Sequence, residues 1–295
     1  MSSKKKYFAI GRGASFGIIG GIYLIAAIVG VAVYKLLPTE ILFMWRLLIA
    51  DVAATCITFI FSLIFRNASV YDPYWSVQPI VILVGLMTSQ SITFLRAATL
   101  IVVLFWGIRL TANWAYTFRG MEHEDWRYRM LCKKTGKLYP IINFTGIHLV
   151  PTLIVYGCTL PAATVLISPG AEGNALSYLG LALSLGAAIM QGVADIQMHK
   201  FRASGKSGFV RVGLWKHSRH PNYLGEILMW WGIGISAVSA LGINYFLLFA
   251  GALANTLLFL FVSIPMADKK QARKAGFAEY KSETHMLLPI SKSKK

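Results

Sequence analysis

The sequence predicts an all-α fold, a polytopic transmembrane helical bundle of seven to eight spans, on three observations. The chain of 295 residues is 56% hydrophobic and only 14% charged, which leaves too few polar groups to cover a soluble globule of this size. Its apolar residues gather into runs of roughly 20, the helical length that crosses a hydrocarbon core of about 30 Å. Its net charge of +17 is interspersed between those runs and does not form one basic domain, which sets nucleic acid aside as a partner and fits membrane topology.

Taken in order, the candidate spans run near 16–36, 41–65, 77–93, 97–118, 147–167, 175–199, 223–241 and 243–264. Polar stretches separate them, as do breaks such as Ser168-Pro169-Gly170 and Leu241-Gly242-Ile243-Asn244. Lys and Arg in short loops resist translocation, so the charges test the count. Eight spans with both termini cytoplasmic put 25 of the 29 Lys and Arg residues inside, leaving Lys35, Arg46, Arg96 and Arg109. A seven-span chain with its N-terminus outside keeps the two middle loops and the tail inside. The first apolar run is long, is followed at once by a second and lacks a small-residue cleavage site, so a removed signal peptide is not expected. Gly13, Gly17 and Gly21 lie four apart at the start of the first run and predict close helix packing, since no strand precedes them as a nucleotide loop requires. Cys56, Cys132 and Cys158 have no metal-type spacing, so neither a metal nor a disulfide is expected. The whole of 1–295 parses as one membrane domain.

Ionisable residues within a span cost several kcal/mol, roughly 2.5 to 3.5 at a helix centre, unless paired or wetted, so each is a candidate for function. Gln191, Asp195, His199 and Arg202 share one helical stripe in the sixth run. A plain Asp195–His199 pair near a snorkelling helix end is the structural alternative. Arg109 and Asn113 lie one turn apart in the fourth run, with Arg119 beyond. An arginine so placed needs an anion or an acidic partner, for which Asp51 and Glu226 are the candidates. The densest cluster is Gly213 to Glu226, where Arg211, Lys216, Arg219 and His220 lead into a span opened by Pro221 and carrying Asn222, Tyr223 and Glu226. Proline suits the first helical position, and a helix N-terminus among cations is an anion site fit for a phosphate. A polybasic loop meeting anionic lipid heads is the alternative, but it leaves Asn222 and Glu226 without a role.

These residues resemble the steroid 5α-reductase family, in particular its bacterial-type branch carrying the late RHPNYxGE motif. The resemblance covers most of the chain after about residue 70: Asp72-Pro73-Tyr74-Trp75, Arg109 to Trp114 with Glu124 to Tyr128, Asp195 to Arg202, Arg219 to Glu226, and Phe277, Tyr280 and Pro289. It implies a membrane reductase that takes NADPH from the cytosolic side and delivers hydride to the β carbon of a conjugated enone. The cofactor-binding positions it implies fall on Asn113, Asp195, Arg202, Arg211, Asn222 and Tyr280, with Arg119, Tyr223 and Glu226 beside them, chiefly within 109–128 and 191–280. Hydride attack drives negative charge onto the carbonyl oxygen, which needs a hydrogen-bond donor in a dry pocket. The resemblance puts Asp72 approximately where the family has a glutamate and Trp106 where it has a tyrosine, with Tyr71 or Tyr74 as substitutes. That departure bears on which enone is accepted.

The RHPxYxG core is shared with isoprenylcysteine carboxyl methyltransferases, so methyl transfer from S-adenosylmethionine to a lipid or prenylcysteine is the alternative function. A transporter is a third, against which the charges crowd one half of the membrane and do not cross its midplane. The expected partners are a lipophilic substrate entering from the bilayer and the membrane lipids, in the endoplasmic reticulum of a eukaryote or the inner membrane of a bacterium.

Overall fold

The computed structural model describes residues 10–290. The basic residues Lys4, Lys5, Lys6, Lys292, Lys294 and Lys295, used above to orient the chain, lie outside the described residues. Among the described residues twelve α-helices follow one another: α1 Arg12–Leu36, α2 Phe43–Ile64, α3 Tyr74–Met87, α4 Phe94–Thr117, α5 Trp126–Thr135, α6 Tyr139–Ile142, α7 Val150–Ile167, α8 Ala175–Ala203, α9 Pro221–Leu241, α10 Ala250–Leu258, α11 Ile264–Gln271 and α12 Phe277–Glu283. Among the described residues no strand forms, and the one isolated β-bridge pairs Ser218 with His285.

Among the described residues seven helical stretches are long and apolar enough to cross a membrane: Arg12–Leu36, Phe43–Ile64, Phe94–Thr117, Trp126–Ile167, Ala175–Ala203, Pro221–Leu241 and Ile243–Gln271. The protein is therefore a polytopic helical membrane protein. The third expected span falls short. Helix α3 has 14 residues with Pro79 inside it, which at 1.5 Å per residue is about 21 Å against a core of about 30 Å.

The chain divides into two compact units, one made of the residues up to Gly85 with Leu110–Tyr156, the other of Leu86–Arg109 with Gly157 onward. In the first unit α1 packs on α2, and its buried stripe is Ser15, Ile19, Ile22 and Ala26, at i, i+4, i+7 and i+11: Ala26 clusters with Ala54 of α2, Ile19 and Ile22 cluster with Val70, Phe118 and Met121, and Ser15 Oγ accepts the Met121 N–H. Gly13, Gly17 and Gly21 do not take part: a Cβ on any of them would meet nothing within 4 Å. They are offset by two residues from the packed stripe, about 200° around the helix at 3.6 residues per turn, so the expected close approach fails for geometric reasons.

Close approach occurs instead in the second unit, between α8 and α9. A Cβ on Gly225 would lie 2.7 Å from the Ala187 carbonyl oxygen, and one on Gly232 would lie 2.5 Å from that of Gly180. Small residues substitute for the missing hydrophobic drive in a bilayer by letting backbones touch. Ser184 uses the proximity, donating to the Met229 carbonyl at 2.8 Å. Gly225→Ala is expected to force the helices apart at a cost of about 1 to 3 kcal/mol, read as a lower melting temperature of the purified protein; an unchanged melting temperature would remove the close contact from the account.

Candidate functional site

The second unit brings the dispersed polar residues of α4, α8 and α9 into one hydrogen-bonded chain. Arg109 donates from one terminal nitrogen to Asp195 Oδ2 and from the other to Gln191 Oε1, both at 2.8 Å. Gln191 in turn donates from Nε2 to Glu226 Oε2 at 2.6 Å and to the Asn222 carbonyl at 3.2 Å. The Glu226 carboxylate also accepts from Trp106 Nε1 at 2.9 Å and Trp230 Nε1 at 2.8 Å. Glu226 thus sits 3% exposed with three donors and no direct cation, the satisfaction that a buried carboxylate requires.

Local structure explains the placement. Gln191 and Asp195 are one turn apart on α8 and Glu226 and Trp230 one turn apart on α9, so each pair faces the same way. Gly225 removes the side chain that would otherwise block Gln191, whose Cγ would stand 2.5 Å from a Cβ there. Arg109 therefore finds its partners in Asp195 and Gln191 and not in Asp51 or Glu226, and Asp195 takes an arginine where a pairing with His199 alone had been the alternative.

A second cluster binds the segment just before α9 to the C-terminal part of the chain. Arg219 donates to the Thr284 carbonyl at 2.9 Å and the Lys281 carbonyl at 3.3 Å, and its Nε lies 3.4 Å from Asp268 Oδ2. His220 Nε2 lies 2.9 Å from Asp268 Oδ1. The Tyr280 hydroxyl donates to the carbonyls of Trp215 and Ser218, and Ser218 Oγ donates to the Leu287 carbonyl. Arg219, His220 and Tyr280, all expected at a cofactor, are thus engaged as a latch on the chain's own C-terminal segment. Nor is the helix start as rich in donors as expected: Pro221 has no N–H, and those of Tyr223 and Leu224 both go to the His220 carbonyl.

Two of the expected cations of the second unit stay exposed. Arg202 is exposed at the end of α8, and Arg211 is exposed with one nitrogen on the Gly276 carbonyl at 2.8 Å. Asn222 Oδ1 and Arg109 Nε are buried without a hydrogen-bond partner, as are the Nε atoms of Arg46, Arg96 and Arg219. Tyr223 stacks on His220 with ring centres 5.2 Å apart. His199 is half-buried on the same stripe of α8.

The first unit holds the residues expected at a substrate carbonyl, together with Asn113, half-buried on α4, and the exposed Arg119. Asp72 Oδ1 accepts the Tyr128 hydroxyl at 2.6 Å. Burial pushes the Asp72 carboxyl up to about 6, against the pull of the Arg127 guanidinium and the Tyr128 hydrogen bond, with Asp125 adding to the rise. Tyr74 donates to Asp51 Oδ1 at 3.0 Å, and Gln78 donates to Asp51 Oδ2 at 2.7 Å. Beside them the Tyr71 hydroxyl is hydrogen-bonded to Thr152 Oγ1 at 2.8 Å. Trp106 is in the second unit, wholly buried, and its single N–H is held by Glu226. It has no donor left for a substrate and acts as a positioning residue for Glu226.

Sequence reasoning missed three partners: Asp268, Trp230 and Tyr128. Tyr128 carried a signal, since it closes the Glu124 to Tyr128 segment of the resemblance, whereas Asp268, past the expected last span and followed by Lys269 and Lys270, carried none.

Residues 58–284 match the family described as protein of unknown function (DUF1295). The chain belongs to that family of membrane proteins. It is also similar to the uncharacterized protein C594.04c of Schizosaccharomyces pombe, with 25% identity over a match that covers 56% of this chain and 56% of that relative. The match thus spans about half of that relative's length. No solved structure matches the chain.

Proposed function

We propose that the protein is an NADPH-dependent membrane reductase that delivers hydride to the β carbon of an enone in a lipophilic substrate drawn from the bilayer. The observation that carries this reading is the chain Asp195–Arg109–Gln191–Glu226, in which Asp195, Arg109 and Glu226, on three separate helices and in segments the steroid 5α-reductase resemblance covers, are joined through Gln191 and 2.6 to 2.8 Å hydrogen bonds.

The residues fit a phosphate-bearing dinucleotide through Arg202 and Arg211 for phosphate, Asp195 for ribose hydroxyls and Asn222 for an amide donor. NADPH, when bound, supplies the hydride. Asp72, whose neutral form burial favours up to a pH of about 6, donates a hydrogen bond in that form to the substrate carbonyl oxygen as charge develops there. Tyr74 is the next candidate for that role, its hydroxyl oriented by Asp51.

A lipid extract incubated with purified protein and NADPH deuterated at the transferable position tests the reading. A product heavier by one deuterium is the expected result. Methyl transfer from labelled S-adenosylmethionine with no deuterium gain would overturn it in favour of the methyltransferase alternative. Arg202→Ala is expected to weaken NADPH binding by roughly 1.5 to 3 kcal/mol, the usual worth of a charge-assisted contact, measured by fluorescence titration; equal affinity would remove Arg202 from the phosphate site.

A further inference from the structure

We infer that helix α5 is a docking surface for anionic phospholipid headgroups. The inference does not rest on the reductase reading. Helix α5 buries none of its ten residues. Its outer face exposes Arg127, Arg129, Met130, Lys133 and Lys134, and Lys137 follows one residue past the helix's closing Gly136. Arg127 is paired with Asp125 at 2.9 Å, whereas Arg129, Lys133, Lys134 and Lys137 have no acidic partner among the described residues. The opposite side carries Tyr128, held by Asp72, with Leu131, Cys132 and Thr135 half-buried. The helix is therefore pinned on one side and presents an unneutralised cationic row on the other.

Position says what meets that row. Trp126–Ile167 is a helical stretch of 42 residues, about 63 Å if straight and twice a hydrocarbon core of about 30 Å. Its apolar second half, Val150–Ile167, serves as the span, so α5 at its start lies at or beyond the membrane surface. Gly136, with φ 53°, ends α5, a backbone turn that redirects the chain. Around it Met130, Leu138 and Ile141 are 42%, 62% and 61% exposed. Cations interleaved with exposed apolar side chains beside a span match the charge and polarity of an anionic headgroup layer, with the apolar groups reaching below it. An acidic soluble protein would satisfy the charges but not the apolar side chains. Docking would also steady the helix that holds Asp72 through Tyr128.

The full chain reconstituted in phosphatidylcholine vesicles, probed by spin-labelled phosphatidylglycerol and spin-labelled phosphatidylcholine in parallel, tests this. The wild-type protein is expected to immobilise the anionic label preferentially, and added salt is expected to weaken the preference. The variant R129Q/K133Q/K134Q/K137Q is expected to lose the preference by about 5-fold or more, while K200Q/K206Q/K216Q, also exposed but outside α5, keeps it. These side chains are on the surface, so both variants fold, which an unchanged circular dichroism melt checks. Equal preference in wild type and the α5 variant would overturn the proposal, as would an equal loss in both variants or a preference indifferent to salt.

Discussion

Arg109→Leu is expected to destabilise the protein by about 3 kcal/mol, the lower end of what removing one partner from a buried ion pair costs. The pair is largely shielded, with the Arg109 and Asp195 side chains 14% and 17% exposed at a separation of 2.8 Å. Without the guanidinium, the Asp195 carboxylate and Gln191 Oε1 both lose their donor in an apolar setting where water does not replace it. Gln191 is then free to rotate, and the loss reaches Glu226. The double variant Arg109→Leu/Asp195→Leu removes both charges and is expected to recover a large part of the stability, because an apolar pair needs no compensation. Arg109→Lys is expected to fall between, since an ammonium is a point charge and cannot bridge an aspartate and an amide as the planar guanidinium does. Denaturation of the reconstituted protein gives all three values, and a double variant no more stable than the singles would show that the charges are not coupled.

The spans were legible because a bilayer imposes a length and a composition that a sequence displays directly. The third was not, because its apolar run was counted through Thr88-Ser89-Gln90-Ser91. The helix ends at Met87, where Ser89 and Gln90 turn back on the Leu86 and Met87 carbonyls. The stripe of Gln191 and Asp195 was legible for the reason that makes it expensive, a run of polar residues on an apolar helix. Its partner was not, because pairing across 82 and 86 residues is decided by helix packing that no local pattern encodes. Pro221 marked the start of α9 correctly. What could not be read there was the return of the chain after α12: the carbonyls of Lys281, Thr284 and His285 claim Arg219, and no local rule distinguishes such a latch from a phosphate site. The glycines repeat the lesson. Spacing of four was visible at Gly13, Gly17 and Gly21, but only the packed face determines whether spacing becomes contact, and contact came at Gly225 and Gly232.

Asp72→Asn is expected to lower turnover by roughly 10²-fold or more, the usual contribution of a positioned acid, while leaving NADPH affinity nearly unchanged. That division marks an interaction made mainly in the transition state. The pH profile supplies the stronger test. Burial raises the Asp72 carboxyl to about 6, and the neutral form is the donor, so turnover is expected to be full below that value and to fall as pH rises through it. The same shift fixes the sign for stability: a carboxyl raised above its unfolded value favours the fold at low pH, and that contribution is lost as pH rises through about 6. Tyr128→Phe sharpens the prediction, because the hydroxyl that donates to Asp72 Oδ1 at 2.6 Å favours the ionised carboxylate. Its removal is expected to move the falling limb to higher pH, so that the variant works at a pH where the wild type has faded. Asp72→Asn has no such limb. If Asp72 served only to start α3 ahead of Pro73, asparagine would do as well, turnover of Asp72→Asn would match wild type, and Tyr128→Phe would leave the profile where it was. That result would move the carbonyl donor to Tyr74, whose hydroxyl Asp51 already orients.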